Sequence, residues 1–244
     1  MLKNIKGILF DKDGTLIDFY HTWYEASLQV ARLLQERFDY ETLIGAELLD
    51  AIGVHDGRVD PAGYLACGTY RQISEGFYGV LQKMGLDIEK EALLTLTVRL
   101  YEAAVKEIPV RPVGNLPRLM KGLKERGFLL GIATSDNVWG AMNCLKQLRI
   151  EKYFDYIGAD DGIRPPKPDT AMLLEFSEKF GLKKDELAVV GDTASDMRFA
   201  KAFGAVAIGT CTGTASKQQL TGEADYIIEN IEKLLPEVIG GKAC

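Results

Sequence analysis

Gly7-Ile8-Leu9-Phe10-Asp11-Lys12-Asp13-Gly14-Thr15-Leu16 is the stretch from which the fold of this chain can be predicted. Its apolar run, Ile8 to Phe10, indicates a buried strand, because short apolar runs bounded by turn residues are typical of parallel sheets. Ligands of open parallel sheets bind beyond the carboxyl ends of the strands. We therefore expect Asp11 and Asp13, which follow this strand, to take part in chemistry. An ordinary Asp-Gly turn is the alternative interpretation.

Two carboxylates one residue apart repel each other unless a cation bridges them or one of them is protonated. Gly14 permits positive φ, and successive N–H groups of such a loop can bind an anion. A carboxylate nucleophile, a second carboxylate as acid and base, a metal and an anion site together describe phosphoryl transfer through an aspartyl-phosphate. The stretch thus favours phosphate chemistry.

The composition excludes several classes of protein. The chain has 244 residues, 47% of them hydrophobic and 26% charged, which is typical of a soluble globular protein of one large or two modest domains. A net charge of −6 argues against nucleic acid or a membrane surface as a partner. We find no signal peptide and no membrane span. Four scattered cysteines indicate reduced thiols and a cytoplasmic protein: Cys67, Cys144, Cys211 and Cys244.

Between Leu16 and Val110 the apolar spacing predicts helices and no strand. The segment from Val54 to Gly68 reads as a loop. The predicted helices cover 21–38, a stretch containing Leu43, Ile44, Leu48 and Ile52 that ends at Gly53, a stretch from Ile73 to Met84 that ends at Gly85, and 88–107. We therefore expect an all-helical insert of about ninety residues, the size of a small domain.

After Val110 apolar strands alternate with amphipathic helices, which predicts a parallel sheet covered on both faces. The predicted strands are Phe128 to Ala133, Tyr156 to Gly158, Leu187 to Val190, Val206 to Ile208 and Tyr226 to Ile228. The predicted helices are 116–126, 137–148, 169–180, 196–203 and a final one from about 230.

Polar residues follow three of these strands. Thr134 and Ser135 carry hydroxyls that can bind an anion, and Ser135 or Asp136 can cap the next helix; capping alone is the alternative. Lys167, in a proline-rich loop, can offset the repulsion between a carboxylate and a phosphate, although such a lysine is more often only solvated. Asp192 and Asp196 are hard oxygen ligands, which favour Mg²⁺.

In this order the motifs Asp11-x-Asp13-Gly14-Thr15, Thr134, Lys167-Pro168 and Gly191-Asp192-x-x-x-Asp196 resemble the haloacid dehalogenase superfamily. Within it, the chain looks like the phosphoglycolate phosphatase and beta-phosphoglucomutase subgroup. The resemblance implies an α/β fold, a Rossmann-like core with a parallel sheet formed by 1–17 and 111–244, and an inserted all-α cap domain formed by 18–110. Lys12 departs from the family pattern, which commonly has an apolar residue there.

The resemblance also implies roles for these residues. Asp11 is the nucleophile and a Mg²⁺ ligand, and Asp13 is the general acid and base whose carbonyl binds the metal. The phosphoryl group is bound by Thr134, Ser135 and Lys167, in a loop shaped by Gly14 and Thr15. Asp192 and Asp196 complete the Mg²⁺ site. The expected protein is a Mg²⁺-dependent phosphatase of a small phosphorylated metabolite, either a monomer or a homodimer.

Three alternatives stay open. The first is a phosphomutase, which would pass the phosphoryl group to a sugar hydroxyl. The second is a phosphorylatable signalling module, and the third is a catalytically silent ligand-binding protein. The second aspartate, Asp13, argues against dehalogenation. The residues that could choose the substrate lie in the insert, and each could equally be structural: His21, Trp23, Tyr24, His55, Arg58, Arg71 and Lys83.

Overall fold

The computed structural model of the protein describes residues 4–38 and 45–235 and contains two compact units. The sheet unit comprises the described residues up to Asp18 and from Val110 onward. The helical insert comprises the described part of Phe19–Pro109. Over the described ranges, none of the helices combines the length and the apolar character that a membrane crossing needs.

The described residues form eight strands and ten α-helices. The strands are β1 (Gly7–Phe10), β2 (Val54–His55), β3 (Arg58–Val59), β4 (Leu129–Asn137), β5 (Tyr156–Asp160), β6 (Leu187–Gly191), β7 (Val206–Thr210) and β8 (Tyr226–Ile228). The helices are α1 (Glu25–Arg37), α2 (Gly45–Ala51), α3 (Tyr64–Cys67), α4 (Tyr70–Lys83), α5 (Lys90–Glu107), α6 (Leu116–Glu125), α7 (Val138–Gln147), α8 (Ala171–Phe180), α9 (Ala194–Phe203) and α10 (Lys217–Leu220).

The sheet is parallel throughout, and its strands lie in the order β5-β4-β1-β6-β7-β8. β1 is central, with Phe10 paired to Ile132 on one side and to Val190 on the other. Ile8 and Phe10 pack with residues of α6 and α7, whereas Leu9 packs with residues of α8 and α9. Helices therefore cover both faces of the sheet, which confirms the predicted α/β fold and explains why β1 is apolar at every position.

The strand β4 is longer than the predicted Phe128 to Ala133, because it continues to Asn137 through an irregularity in its pairing with β5. The expected helix caps, Ser135 and Asp136, are wrong. Asn137 caps α7 instead, since its side chain accepts a hydrogen bond from the Gly140 N–H at 2.7 Å.

The insert contains a hairpin where the sequence analysis predicted a loop and no strand. β2 and β3 pair through Val54 with Val59 and His55 with Arg58. Asp56 and Gly57 between them both have positive φ, 49° and 73°, which is the requirement of a type I′ hairpin turn. The Asp-Gly pair was therefore the signal for a hairpin.

The helices of the insert follow the predicted periodicity. α4 begins at a capping box, in which Thr69 and Gln72 exchange side-chain and backbone hydrogen bonds. Leu43 and Ile44, assigned to the second predicted helix, lie outside the described residues. The predicted final helix begins as a short 3₁₀ turn, Ile231–Lys233, and its continuation beyond 235 also lies outside them.

Candidate active site

The turn after β1 places Asp11 and Asp13 at the carboxyl edge of the sheet. The Asp11 N–H donates to the Val190 carbonyl at 2.8 Å, so that Asp11 continues the pairing of β1 with β6. The chain then reverses, and the Gly14 N–H donates to the Ile17 carbonyl at 2.9 Å. Gly14 has a φ of 83°, which strongly favours glycine. Asp11 is buried at the strand end, while the Asp13 side chain keeps 13% of its surface exposed.

Lys167 joins two of the carboxylates. Its Nζ lies 2.6 Å from Asp11 Oδ1 and 2.6 Å from Asp196 Oδ1, and all three side chains are buried. Burial alone would lower the pKa of Lys167, but the charges of Asp11 and Asp196 outweigh it and raise that pKa above its usual value. Lys167 is therefore cationic, and its burial rules out the alternative of a merely solvated loop residue.

Asp11, Asp192 and Asp196 form one acidic cluster. Each offers a carboxylate oxygen, and these three oxygens lie within 4.8 Å of one another. Burial raises the pKa of Asp11 to about 7, with Lys167 opposing the shift and Asp196 and Asp13 adding to it. Burial, together with the charges of Asp11 and Asp196, also raises the pKa of Asp192 well above its usual range. The raised pKa values of Asp11 and Asp192 show that the one ammonium of Lys167 does not balance the negative charge of the cluster.

This charge balance is a test of whether a metal fits. Three carboxylates and one ammonium leave a formal charge of −2 in a site from which water is largely excluded. Buried charges of one sign are costly unless they are paired or bind a metal. Hard oxygen donors of this kind suit Mg²⁺. The residues present therefore fit a divalent cation.

Asp196 is oriented by the start of α9. Its Oδ2 accepts from the Thr193 N–H at 3.1 Å and from Thr193 Oγ1 at 2.7 Å, and its own N–H donates to Thr193 Oγ1 at 3.3 Å. This reciprocal pair is a capping box, which satisfies two N–H groups at the helix start. The same contacts direct Oδ1 of Asp196 to Lys167, so a helix cap positions the side chain.

Asp192 is oriented by a loop that the sequence analysis missed. Thr214, beyond the end of β7, donates to Asp192 Oδ2 from its N–H at 2.9 Å and from Oγ1 at 3.3 Å. Thr15 Oγ1 lies 3.4 Å from Asp192 Oδ1. Thr212 Oγ1 donates to the Gly14 carbonyl at 2.8 Å. The signal in the sequence was a further strand, β7, that ends in hydroxyl-bearing residues and a glycine.

Two glycines give Asp192 its room. A Cβ on Gly213 would lie 1.9 Å from Asp192 Oδ2, and a Cβ on Gly14 would lie 2.5 Å from the same atom. Both distances are shorter than real side chains tolerate, so these positions require glycine for close approach as well as, at Gly14, for its φ. The backbone of two loops therefore encloses one carboxylate.

The predicted phosphate-binding hydroxyls lie in β4. Thr134 is buried, and its Oγ1 accepts from the Asp136 N–H at 3.1 Å, which leaves the hydroxyl proton to be donated elsewhere. Ser135 follows it and is half-buried. Their phosphate-binding role stays a prediction.

Lys12, the departure from the family pattern, is buried. Its Nζ lies 2.6 Å from Asp13 Oδ1 and 3.1 Å from Asp136 Oδ2. From the sequence, Lys12 could be exposed or could lie beside the residues of the site, and the structure shows the second arrangement.

Four of the candidate substrate-choosing residues of the insert have structural contacts. Trp23 lies 5.9 Å from Tyr70 and 5.8 Å from Tyr101, measured between ring centroids, and belongs to the insert's core. Arg71 Nη1 pairs with Glu91 Oε1 at 2.7 Å on an exposed face. His55 contacts Asp50, and His21 Nε2 contacts the Pro109 carbonyl. Their part in substrate choice stays a prediction.

Comparisons with known proteins identify the family of this chain. A family model described as haloacid dehalogenase-like hydrolase matches residues 5–204. The chain is 28% identical to the probable phosphatase IndB of Dickeya dadantii (strain 3937), over 93% of this chain and 91% of that protein. It is 25% identical to the phosphoglycolate phosphatase of Salmonella choleraesuis (strain SC-B67), over 96% of this chain and 93% of that protein.

Solved structures share the fold. A crystal structure of a predicted phosphoglycolate phosphatase from Haemophilus somnus 129PT superposes with a TM-score of 0.75 at 18% identity, covering 97% of this chain and 99% of that one. A phosphatase of the same superfamily from Thermococcus onnurineus superposes with a TM-score of 0.64 at 22% identity, covering 98% of this chain and 100% of that one. At these identities the likeness shows the fold alone.

Proposed function

Because this chain belongs to the haloacid dehalogenase-like hydrolase family, we propose that it is a Mg²⁺-dependent phosphatase of a small phosphorylated metabolite, acting through an aspartyl-phosphate on Asp11. The observation that carries the proposal is the buried contact of Lys167 with Asp11 and Asp196, beside Asp192. Ordinary stability does not call for three buried carboxylates around one ammonium, because a well-packed apolar group usually serves as well.

Each residue then has a task. A carboxylate oxygen of Asp11 attacks phosphorus as the bond from phosphorus to the substrate oxygen breaks, and Asp13 gives its proton to that leaving oxygen. Asp13 next takes a proton from water, whose oxygen bonds to phosphorus as the Asp11–phosphorus bond breaks. Inorganic phosphate and free Asp11 result.

The surrounding groups lower the electrostatic barrier. Lys167 offsets the repulsion between the Asp11 carboxylate and the phosphate dianion. Thr134 would donate its hydroxyl proton to a phosphoryl oxygen. Mg²⁺, bound by Asp11, Asp192, Asp196 and the Asp13 carbonyl, would supply further positive charge to the phosphoryl oxygens.

Phosphoglycolate is the first substrate to test, because a relative that aligns with 96% of this chain carries the name phosphoglycolate phosphatase. Sugar phosphates are the second class. The insert offers cations such as Arg58 for a second anionic group, although identity of 25% does not transfer a substrate.

The test is phosphate release from 2-phosphoglycolate, hexose phosphates, glycerol 3-phosphate and p-nitrophenyl phosphate, with Mg²⁺ and with EDTA. Asp11→Asn should abolish release while the melting midpoint is kept or raised. Asp185→Asn removes an exposed carboxylate and is the matched control, which should behave as wild type. Release that persists in Asp11→Asn would refute the nucleophile. No release of phosphate by folded wild-type protein with Mg²⁺ would refute the phosphatase and favour a phosphomutase.

A further inference from the structure

Lys12 is a buried cation with no role in the reaction as described above. Only 3% of its side chain is exposed, and its Nζ lies between Asp13 Oδ1 at 2.6 Å and Asp136 Oδ2 at 3.1 Å. Burial alone would lower the pKa of Lys12, but Asp13 and Asp136 outweigh it and raise that pKa. A buried ammonium is costly unless it is paired, so a cation at this place needs a reason.

Asp136 is itself fixed from the backbone of the sheet unit. Its Oδ1 accepts from the Asn137 N–H at 2.7 Å, and only 4% of its side chain is exposed. A Cβ on Gly140 would lie 2.4 Å from Asp136 Oδ2, so the first turn of α7 leaves room for the carboxylate by having a glycine there. Asp136 is therefore a rigid anchor at the end of β4.

We propose that Lys12 is a positioning residue for Asp13, and that Asp136 anchors Lys12 for this purpose. The inference rests on the proposed function, which assigns the acid and base step to Asp13. It adds a residue pair, Lys12 and Asp136, that acts on the substrate only through Asp13.

The physical reason is the geometry of proton transfer. A general acid works only within hydrogen-bond reach of the oxygen that it protonates. Asp13 lies in a turn rather than in a strand, and its side chain is the most exposed of the site's carboxylates. A hydrogen bond from a charged donor such as the Lys12 ammonium is about twice as strong as a neutral one. The contact at Oδ1 therefore orients Asp13 and presents Oδ2 for proton exchange.

The test separates the proton-donating task from general damage to the site. Rapid-quench single turnovers measure how fast the phosphorylated protein forms from two substrates. One is the alkyl phosphate that wild type hydrolyses fastest in the panel above, whose leaving oxygen needs a proton. The other is 2,4-dinitrophenyl phosphate, whose leaving group departs without one. Lys12→Met keeps the side-chain length and removes the charge, and Lys121→Met on an exposed face of α6 is its matched control.

General acid catalysis is worth roughly 10² to 10⁴ in rate, so a misplaced acid should lose at least a tenfold part of it. We expect Lys12→Met to slow phosphorylation by the alkyl phosphate about tenfold or more, and by 2,4-dinitrophenyl phosphate less than about threefold. Lys121→Met should change neither rate. Asp13→Asn removes the acid itself, so it should slow phosphorylation by the alkyl phosphate more than Lys12→Met does. It should again slow phosphorylation by 2,4-dinitrophenyl phosphate much less.

Equal slowing of both substrates by Lys12→Met, or no slowing of either, would overturn the inference while leaving the phosphatase intact. If wild type itself forms no phosphorylated protein, the proposed function fails instead, so the two failures are distinguishable. Should Lys12→Met not fold because Asp136 is left unpaired, Lys12→Met with Asp136→Asn removes both charges and gives the same readout. The double variant must then slow phosphorylation by the alkyl phosphate more than by 2,4-dinitrophenyl phosphate, or the inference is wrong.

Discussion

Gly213→Ala is the substitution for which the structure makes the sharpest prediction. The new Cβ would lie 1.9 Å from Asp192 Oδ2, 2.3 Å from its Cγ and 2.7 Å from its Cβ, so either Asp192 or the loop must move. The φ of Gly213 lies outside the left-handed region, so alanine meets no backbone penalty and the effect comes from the clash alone. Asp192 is buried among loops and has little room to move elsewhere.

The magnitude follows from two contributions. Overpacking of a rigid site costs about 1 to 3 kcal/mol. Separating Thr214 from Asp192 removes hydrogen bonds to a charged acceptor, worth about 1.5 to 3 kcal/mol. We therefore expect the free energy of unfolding to fall by about 4 kcal/mol, which for a chain of this size lowers the melting midpoint by roughly 8 to 16 °C. Displacing Asp192, a proposed Mg²⁺ ligand, should also weaken Mg²⁺ binding about 10- to 100-fold.

The assay is a melting curve at a series of Mg²⁺ concentrations, with phosphatase activity measured over the same series. Gly79→Ala is the matched control, because nothing lies within 4 Å of its added Cβ and α4 should gain stability, by up to about 1 kcal/mol. If Gly213→Ala melts as wild type does and keeps its Mg²⁺ dependence, the enclosure of Asp192 is not what positions this ligand, and the reasoning is refuted.

Three further predictions follow from burial and charge. Iodoacetamide at pH 8 should label the exposed Cys211 and spare the native Cys144, because burial raises the pKa of the Cys144 thiol to about 12; both should react in denaturant. Burial raises the pKa of Asp11 from 3.8 to about 7, so the protein in EDTA should lose stability as the pH rises between these values. Mg²⁺ should therefore raise the melting midpoint more at pH 8 than at pH 5. An equal effect at both pH values would contradict the excess of negative charge in the acidic cluster. Phe77→Ala in the insert's core should cost about 3 to 5 kcal/mol in a denaturant titration, whereas Leu28→Ala on its surface should cost less than about 0.5 kcal/mol.

The sequence predicted those parts of the site that follow strands. Asp11, Lys167 and Asp192 were expected to converge because the carboxyl ends of parallel strands meet at one edge, and the structure brings these residues into one cluster. The alternation of apolar strands with amphipathic helices predicted the parallel sheet, and it also predicted that helices cover both faces of that sheet. These features depend on local pattern and on a general rule of parallel sheets.

The remaining parts depend on tertiary contacts. Thr214 contacts Asp192 from the loop after β7, and although the hydroxyl-bearing residues of that loop are visible in the sequence, no local pattern tells which carboxylate they contact. The place of Lys12 stayed open because lysine is rarely buried, and its burial is made tolerable by Asp13 and by Asp136 on a neighbouring strand. The hairpin at Asp56 and Gly57 is different, since its turn residues were present and were not interpreted.

The central place of β1 has a consequence for how the chain folds. About 120 residues separate Phe10, where β1 ends, from Leu129, where its partner strand β4 begins. Closing so long a loop costs entropy, and this cost grows with the length of the loop. About 90 of those residues belong to the insert. The two ends of the insert lie close together, because His21 near its start contacts the Pro109 carbonyl at its end. An insert that folds first shortens the loop about fourfold and lowers the closure cost by about 1 kcal/mol. The inserted unit would thus speed assembly of the sheet that it interrupts.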